Sequence, residues 1–96
     1  MSDHPALAID ATVARAEGLV ASEVNGEVVI LSIELGHFFH LNSTGSRIWH
    51  LLGGPMTVAA LSAAVGERFA IDADQCRAQV AEFVEAMLDK GLLERV

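Results

Sequence analysis

Residues 19–41 read LVASEVNGEVVILSIELGHFFHL, and this stretch decides the fold class. Two runs rich in β-branched residues flank Asn-Gly at positions 25–26, a pair that tolerates the positive φ angles of a tight hairpin turn. Glu-Leu-Gly at positions 34–36 predicts a second turn, after which residues 37–41 read as a third strand. We therefore predict an antiparallel three-stranded meander.

The third strand of this meander has two distinct faces, because successive side chains of a strand point to opposite sides. Phe39 and Leu41 share one face with His37, whereas Phe38 and His40 share the other. We expect the face of Phe39 and Leu41 to meet the helices.

After the meander the spacing of apolar residues becomes helical. Asn42, Thr57 and Asp72 are predicted to cap the starts of three helices, and Gly91 to end the third. The order βββααα predicts an α+β domain that resembles a winged helix-turn-helix, with the three-stranded antiparallel meander placed before the three helices. We predict that this domain spans residues 18–96 and that residues 1–17, which show little periodicity, form a loosely ordered N-terminal arm.

The composition excludes several classes of protein. The 96 residues carry six Lys+Arg against thirteen Asp+Glu, and this net charge of −7 argues against binding to nucleic acid. The apolar fraction of 52% excludes disorder for most of the chain. No apolar run approaches the roughly 20 residues of a membrane-spanning helix, and the N-terminus does not resemble a secretory signal. With one cysteine, the chain is predicted to be cytoplasmic and not associated with a membrane.

The residue types that commonly act as metal ligands or catalytic groups do not form a recognisable site in this sequence. His37 and His40 are predicted to point to opposite faces of one strand, so they do not share a metal ion. Cys76 belongs to the apolar stripe of the third helix, which favours a core position over a reactive thiol. No nucleophile elbow, phosphate-binding loop or dinucleotide motif is present. The sequence therefore predicts no catalytic residue, no metal and no cofactor.

A winged-helix DNA-binding regulator is the alternative function, with the third helix as its recognition helix. That helix has more carboxylates than cations, so it would repel the phosphates beside a major groove. The five carboxylates are Asp72, Asp74, Glu82, Glu85 and Asp89, against Arg77 and Lys90.

The free edge of the third strand is a candidate site for an extended peptide. It lacks the Lys, Pro or bulge that usually protects such an edge, and a peptide can add to it as a further strand. On a helical wheel, one margin of the third helix would complete the groove, with Arg77 available to an acidic side chain. From the residues alone, a second interpretation is equally good, in which the residues of the strand and the helix margin only complete the hydrophobic core or form a homodimer interface. The candidate residues are His37, Phe38, Phe39, His40, Leu41, Arg77, Ala81, Val84 and Leu88.

A longer pattern is similar to the PqqD-like family. Residues 38–52, FFHLNSTGSRIWHLL, contain its aromatic strand, Leu-Asn-x-Thr-Gly, Ile-Trp and a leucine pair. The agreement continues through Gly-Pro-x-Thr-Val at 54–58, the turn at residues 69–72 and Gly-Leu-Leu-Glu at 91–94. The resemblance extends over about residues 19–95.

This resemblance implies a non-catalytic recognition element for ribosomally synthesised, post-translationally modified peptides (RiPPs). Such a domain binds the leader segment of a precursor peptide and presents the core to a modifying enzyme, such as a radical S-adenosylmethionine enzyme or a leader peptidase. In the family the leader adds to the third strand and lies against the third helix. The Leu-Asn-x-Thr-Gly form is shared by members resembling lasso-peptide leader-binding proteins, so the natural product, pyrroloquinoline quinone (PQQ) or another, stays open.

Overall fold

The computed structural model of the protein describes residues 10–96. These residues form an α+β fold in which three antiparallel strands in sequence precede three helices, as predicted, and further short strands form a second sheet. In chain order the elements are β1 (Thr12–Arg15), β2 (Leu19–Val24), β3 (Glu27–Ser32), β4 (His37–His40), α1 (Ser43–Leu51), β5 (Met56–Thr57), α2 (Val58–Phe69), α3 (Ala73–Asp89) and β6 (Leu93–Arg95).

The predicted meander is confirmed as the antiparallel sheet β2-β3-β4. Asn25 and Gly26 have φ angles of 54° and 82°, so they make the tight turn that joins β2 to β3. Strand β3 alternates as expected of a half-buried strand, with Val28 and Ile30 in the core. Its buried face is continued by Leu41, which immediately follows β4.

The second sheet, of order β5-β1-β6, corrects the prediction of a loosely ordered arm for residues 12–15 of the segment 1–17. Residues 1–9 lie outside the described residues, but β1 pairs on one side with β5 and on the other with β6. Val13 on this strand is fully buried. The sequence of β1, Thr-Val-Ala-Arg, does not alternate strictly between polar and apolar residues, and both partner strands lie far along the chain, so the sequence carried no local signal for this strand.

Each of the three helices begins at its predicted cap. The side chains of Asn42 and Thr57 accept hydrogen bonds from the backbone N–H of Gly45 and Ala60, at 2.8 Å and 3.1 Å. Asp72 does the same for Gln75 at the start of α3, at 3.4 Å. These bonds satisfy backbone donors that the first turn of a helix leaves free.

The third helix ends near Gly91 as predicted, and the chain then turns back on the core. Gly91 has a φ of 76°, the left-handed conformation that ends many helices, and Leu92 and Leu93 are buried. The side chain of Val96, in contrast, is 69% exposed. Within residues 10–96, no helix combines the length and the apolar character needed to cross a membrane.

Candidate functional site

Strand β4 lies at the edge of the meander, and no other described strand pairs with its outer side. The N–H of Leu41 donates to the carbonyl of Val28 at 2.9 Å. Because hydrogen bonds alternate along an antiparallel pair, Phe39 also bonds inward, to β3, whereas the N–H and C=O groups of Phe38 and His40 point outward. The edge therefore presents two donors and two acceptors to another chain.

The side chains of β4 are divided between the two faces as predicted. Phe39 is half-buried against the core, and the rings of Phe39 and His37 meet edge to face, with centroids 6.5 Å apart. Phe38 lies on the opposite face and is 72% exposed. His40, also on that face, contacts the carboxylate of Glu27 through Nε2 at 2.8 Å.

A groove of about 650 Å³ runs from the end of β4 along α3. The buried side chains of Leu41, Val80 and Met87 lie at its base. The half-buried ring of Phe83 lines the same groove, and the exposed side chain of Gln79 lies along its α3 side. The groove thus combines an open strand edge with an apolar base.

The structure corrects which side of α3 adjoins β4. The predicted residues Ala81, Val84 and Leu88 do not line the groove, and Val84 is fully buried in the core. Arg77 lines a different cleft, between α2 and α3, and its guanidinium pairs with Asp74 at 2.9 Å. An apolar stripe on a helix has two margins. Which margin lies beside the sheet depends on the side from which the sheet packs against the helix. A helical wheel shows the stripe but does not show that side.

The residues that do line the groove from α3 lie on the other margin of the same stripe. They share the three- and four-residue spacing of a helix face, so a wheel drawn with the opposite choice of margin would have found them. They are Gln79, Glu82, Phe83, Ala86 and Lys90.

The start of α1 joins the end of β4 to α3. The hydroxyl of the buried Ser46 accepts from the N–H of Val28 at 2.8 Å and donates to the carbonyl of Leu41 at 3.2 Å. A Cβ atom at Gly45 would lie 3.2 Å from the ring of Phe83, so glycine lets α1 and α3 approach closely. From the sequence alone Ser46 is interpreted as one more capping residue, because serine is common in the first turn of a helix.

Residues 27–93 match the family model of coenzyme PQQ synthesis protein D (PqqD). This match spans the sheet edge, the groove and all three helices. The chain belongs to the PqqD family. No curated protein matches this PqqD-family chain.

Solved structures with the same fold as this PqqD-family chain include TbiB1 in complex with the TbiA(beta) leader peptide. It is 29% identical, with a TM-score of 0.76 over 84% of this chain and 94% of that one. Lasso peptide synthetase B1 complexed with the leader peptide is 17% identical, with a TM-score of 0.72 over 85% and 96%. The PqqD truncation of Methylobacterium extorquens PqqCD, a stand-alone RiPP recognition element, is 22% identical, with a TM-score of 0.69 over 88% and 89%.

Cys76 and His50 of the PqqD-family chain do not line the groove and contact other residues of the fold. Cys76 is buried, as predicted, and its thiol donates to the carbonyl of Ser62 at 3.3 Å. His50 contacts Glu23 at 3.3 Å. Among residues 10–96, no three His, Cys, Asp or Glu side chains are grouped so that they could hold a metal ion.

Strand β1 of the PqqD-family chain, which was not predicted, contacts Trp49 of α1. The guanidinium of Arg15 lies 4.6 Å from the centroid of the Trp49 ring and donates to the Trp49 carbonyl at 2.6 Å. Burial lowers the pKa of Arg15 from its ordinary value, although a guanidinium stays charged at neutral pH. Trp49 is therefore a packing residue held by β1.

Proposed function

We propose that this PqqD-family chain binds the leader segment of a ribosomally synthesised precursor peptide and presents that peptide to a modifying enzyme. The leader adds as a strand to β4 and places its inward side chains in the groove beside α3. The observation that carries this proposal is the open edge of β4, with Phe38 and His40 directing their backbone groups outward next to an apolar groove.

Two kinds of interaction support binding at this edge. Backbone hydrogen bonds to Phe38 and His40 set the register of the peptide, and alternate side chains of an added strand fall on one face, where the groove can select them. The family membership and the leader complexes of TbiB1 and of lasso peptide synthetase B1 support a peptide of the leader class.

In this proposal the peptide contacts come from His37, Phe38, Phe39, His40 and Leu41 on the strand side. On the helix side, the contacts come from the margin of Phe83 in place of the margin of Arg77, Ala81, Val84 and Leu88, because only the Phe83 margin lines the groove.

The proposed role involves no bond making or breaking by this chain. A bound leader holds the core peptide near the enzyme, which raises the local concentration of substrate. The partner enzyme is a radical S-adenosylmethionine enzyme or a leader peptidase, and the setting is the cytoplasm, where the single buried thiol of Cys76 stays reduced.

We assign the chain to the winged helix-turn-helix class because α2 and α3 are joined by residues 70–72 only and pack closely on each other. The sheet β2-β3-β4 takes the place of the wing, and its edge serves a peptide in place of DNA.

The proposal is tested with proline at the outward position of the edge. A peptide is first selected from a display library of short random peptides against the full chain. His40→Pro removes an N–H that makes no bond to β3, so the fold is kept while affinity for the selected peptide falls by about tenfold, as expected for one lost backbone hydrogen bond. Isothermal titration calorimetry measures the affinity.

Two controls separate the backbone from the side chain. His40→Ala keeps the N–H and is expected to keep most of the affinity. Ala21→Pro removes an outward N–H from the edge of β2, on the far side of the sheet from β4, and is expected to have no effect on affinity. N-methylation of the peptide at successive positions adds a test that does not depend on the folding of any variant. Losses that alternate between positions support strand addition, and equal losses at all positions contradict it.

A further inference from the structure

A second cleft lies next to the groove, on the far side of Phe69. It has a volume of about 410 Å³ and lies between α1 and the end of α2. Its lining is basic and aromatic: Arg47, His50, Leu51, Arg68 and Phe69. Phe69 lines both the groove and this basic cleft, so the two are adjacent.

The two arginines of the basic cleft are not paired with carboxylates within the described part of the chain. The third basic side chain, His50, contacts Glu23, whereas neither Arg47 nor Arg68 forms an ion pair with a carboxylate of residues 10–96. The protein has only six Lys+Arg against thirteen Asp+Glu. Two of those six cations therefore converge in a single cleft of an acidic protein.

Secondary structure accounts for the position of Arg68 but not for the position of Arg47. Arg68 lies in the last turn of α2, where a cation interacts favourably with the helix dipole. Arg47 has no such position in α1. Its guanidinium lies 5.4 Å from the centroid of the Phe69 ring. Contact through the flat face of a guanidinium leaves its N–H donors directed sideways, which is the geometry that binds a carboxylate through two parallel hydrogen bonds.

The groove leads from β4 to the basic cleft. Its lining includes His40 at the end of β4, Thr44 and Gly45 at the start of α1, and Phe69. A peptide paired with β4 that continues beyond the His40 end of the strand enters a groove that shares Phe69 with the cleft of Arg47 and Arg68.

We propose that the basic cleft binds Asp or Glu side chains of the precursor peptide, in the segment that flanks the part added to β4. This inference rests on the proposed function and adds a second recognition element to it. The apolar groove and β4 set the register, and the two arginines select peptides that carry negative charge at one end.

The test uses the peptide selected from the random library and the double variant Arg47→Gln/Arg68→Gln. Replacing two exposed cations is expected to weaken binding by about threefold to tenfold, because exposed ion pairs contribute modestly. The selected peptides are expected to carry Asp or Glu outside their alternating apolar segment. Changing those residues to Asn or Gln lowers affinity for the native protein by the same factor and has no further effect in the double variant.

The control variant is Arg95→Gln, which removes an exposed cation on β6, away from both clefts, and is expected to bind as the native protein does. Raising the salt concentration should reduce the difference between the native protein and the double variant. The proposal is overturned if the double variant binds the peptide as tightly as the native protein while His40→Pro does not. If His40→Pro also binds normally, strand addition itself has failed, so the two proposals can fail separately.

Discussion

At the scale of single residues, Ser46 is a buried polar residue that links three parts of the fold. It is 1% exposed and its hydroxyl bridges the N–H of Val28 and the carbonyl of Leu41. This one side chain therefore joins β3, the end of β4 and the start of α1. The end of β4 is where the groove begins, so the geometry of the candidate site depends on a residue that does not line it.

We predict that Ser46→Ala lowers the free energy of unfolding by about 1–3 kcal/mol. The substitution leaves the buried N–H of Val28 without its hydrogen-bond partner, and unsatisfied buried groups are costly. Urea denaturation followed by circular dichroism measures the change. Ser43→Ala, one turn earlier on the exposed side of α1, is the matched control and should stay within about 0.5 kcal/mol of the native value. Equal stability of the two variants would contradict the bridging role.

At the scale of elements, α3 has two functions on two margins of one apolar stripe. The margin of Val84 and Leu88 packs into the fold, whereas the margin of Phe83 lines the groove beside β4. The margin of Phe83 also carries the exposed polar residues Gln79, Glu82 and Lys90, which suits a surface in contact with solvent.

We predict that Phe83→Ala and Leu88→Ala differ in binding although both residues are half-buried on α3. Phe83→Ala removes a ring that lines the groove, so affinity for the selected peptide should fall by about tenfold, the effect of losing roughly 1.4 kcal/mol of apolar contact. Leu88→Ala should lower thermal stability and leave affinity unchanged. Fluorescence polarisation with a labelled peptide measures both affinities. A larger loss of affinity for Leu88→Ala than for Phe83→Ala would show that the margin predicted from the helical wheel binds the peptide.

At the scale of the whole molecule, β1 ties the two ends of the described chain together. It lies in the middle of the sheet β5-β1-β6 and brings Arg15 against Trp49. Residues 12–15 are therefore held in a sheet, and Val13 among them is part of the core.

We predict that Val13→Ala lowers the free energy of unfolding by about 2 kcal/mol, because the truncation leaves a cavity at a fully buried position. Val20→Ala is the same substitution at a residue that is 52% exposed, and it should change stability by less than about 0.5 kcal/mol. Both are measured by urea denaturation. A loosely docked arm would make the two variants equally stable.

Local signals made much of this fold predictable. The turn at Asn25 and Gly26, the alternation along β3 and the three helix caps each depend on a few consecutive residues, and each is present as expected. The open edge of β4 could also be read from the sequence, because a simple meander leaves its last strand unpaired on one side. The motif at residues 38–58 led to the correct family.

The sequence by itself therefore determined the α+β class, the order of the main elements and the strand that carries the free edge. The tertiary structure alone decided that residues 12–15 are a strand, which margin of α3 faces β4, and that Arg47 and Arg68 meet in one cleft. The physical reason is the same in each case. These features depend on how segments far apart along the chain pack against one another. The propensity and periodicity of one segment do not specify how it packs against another.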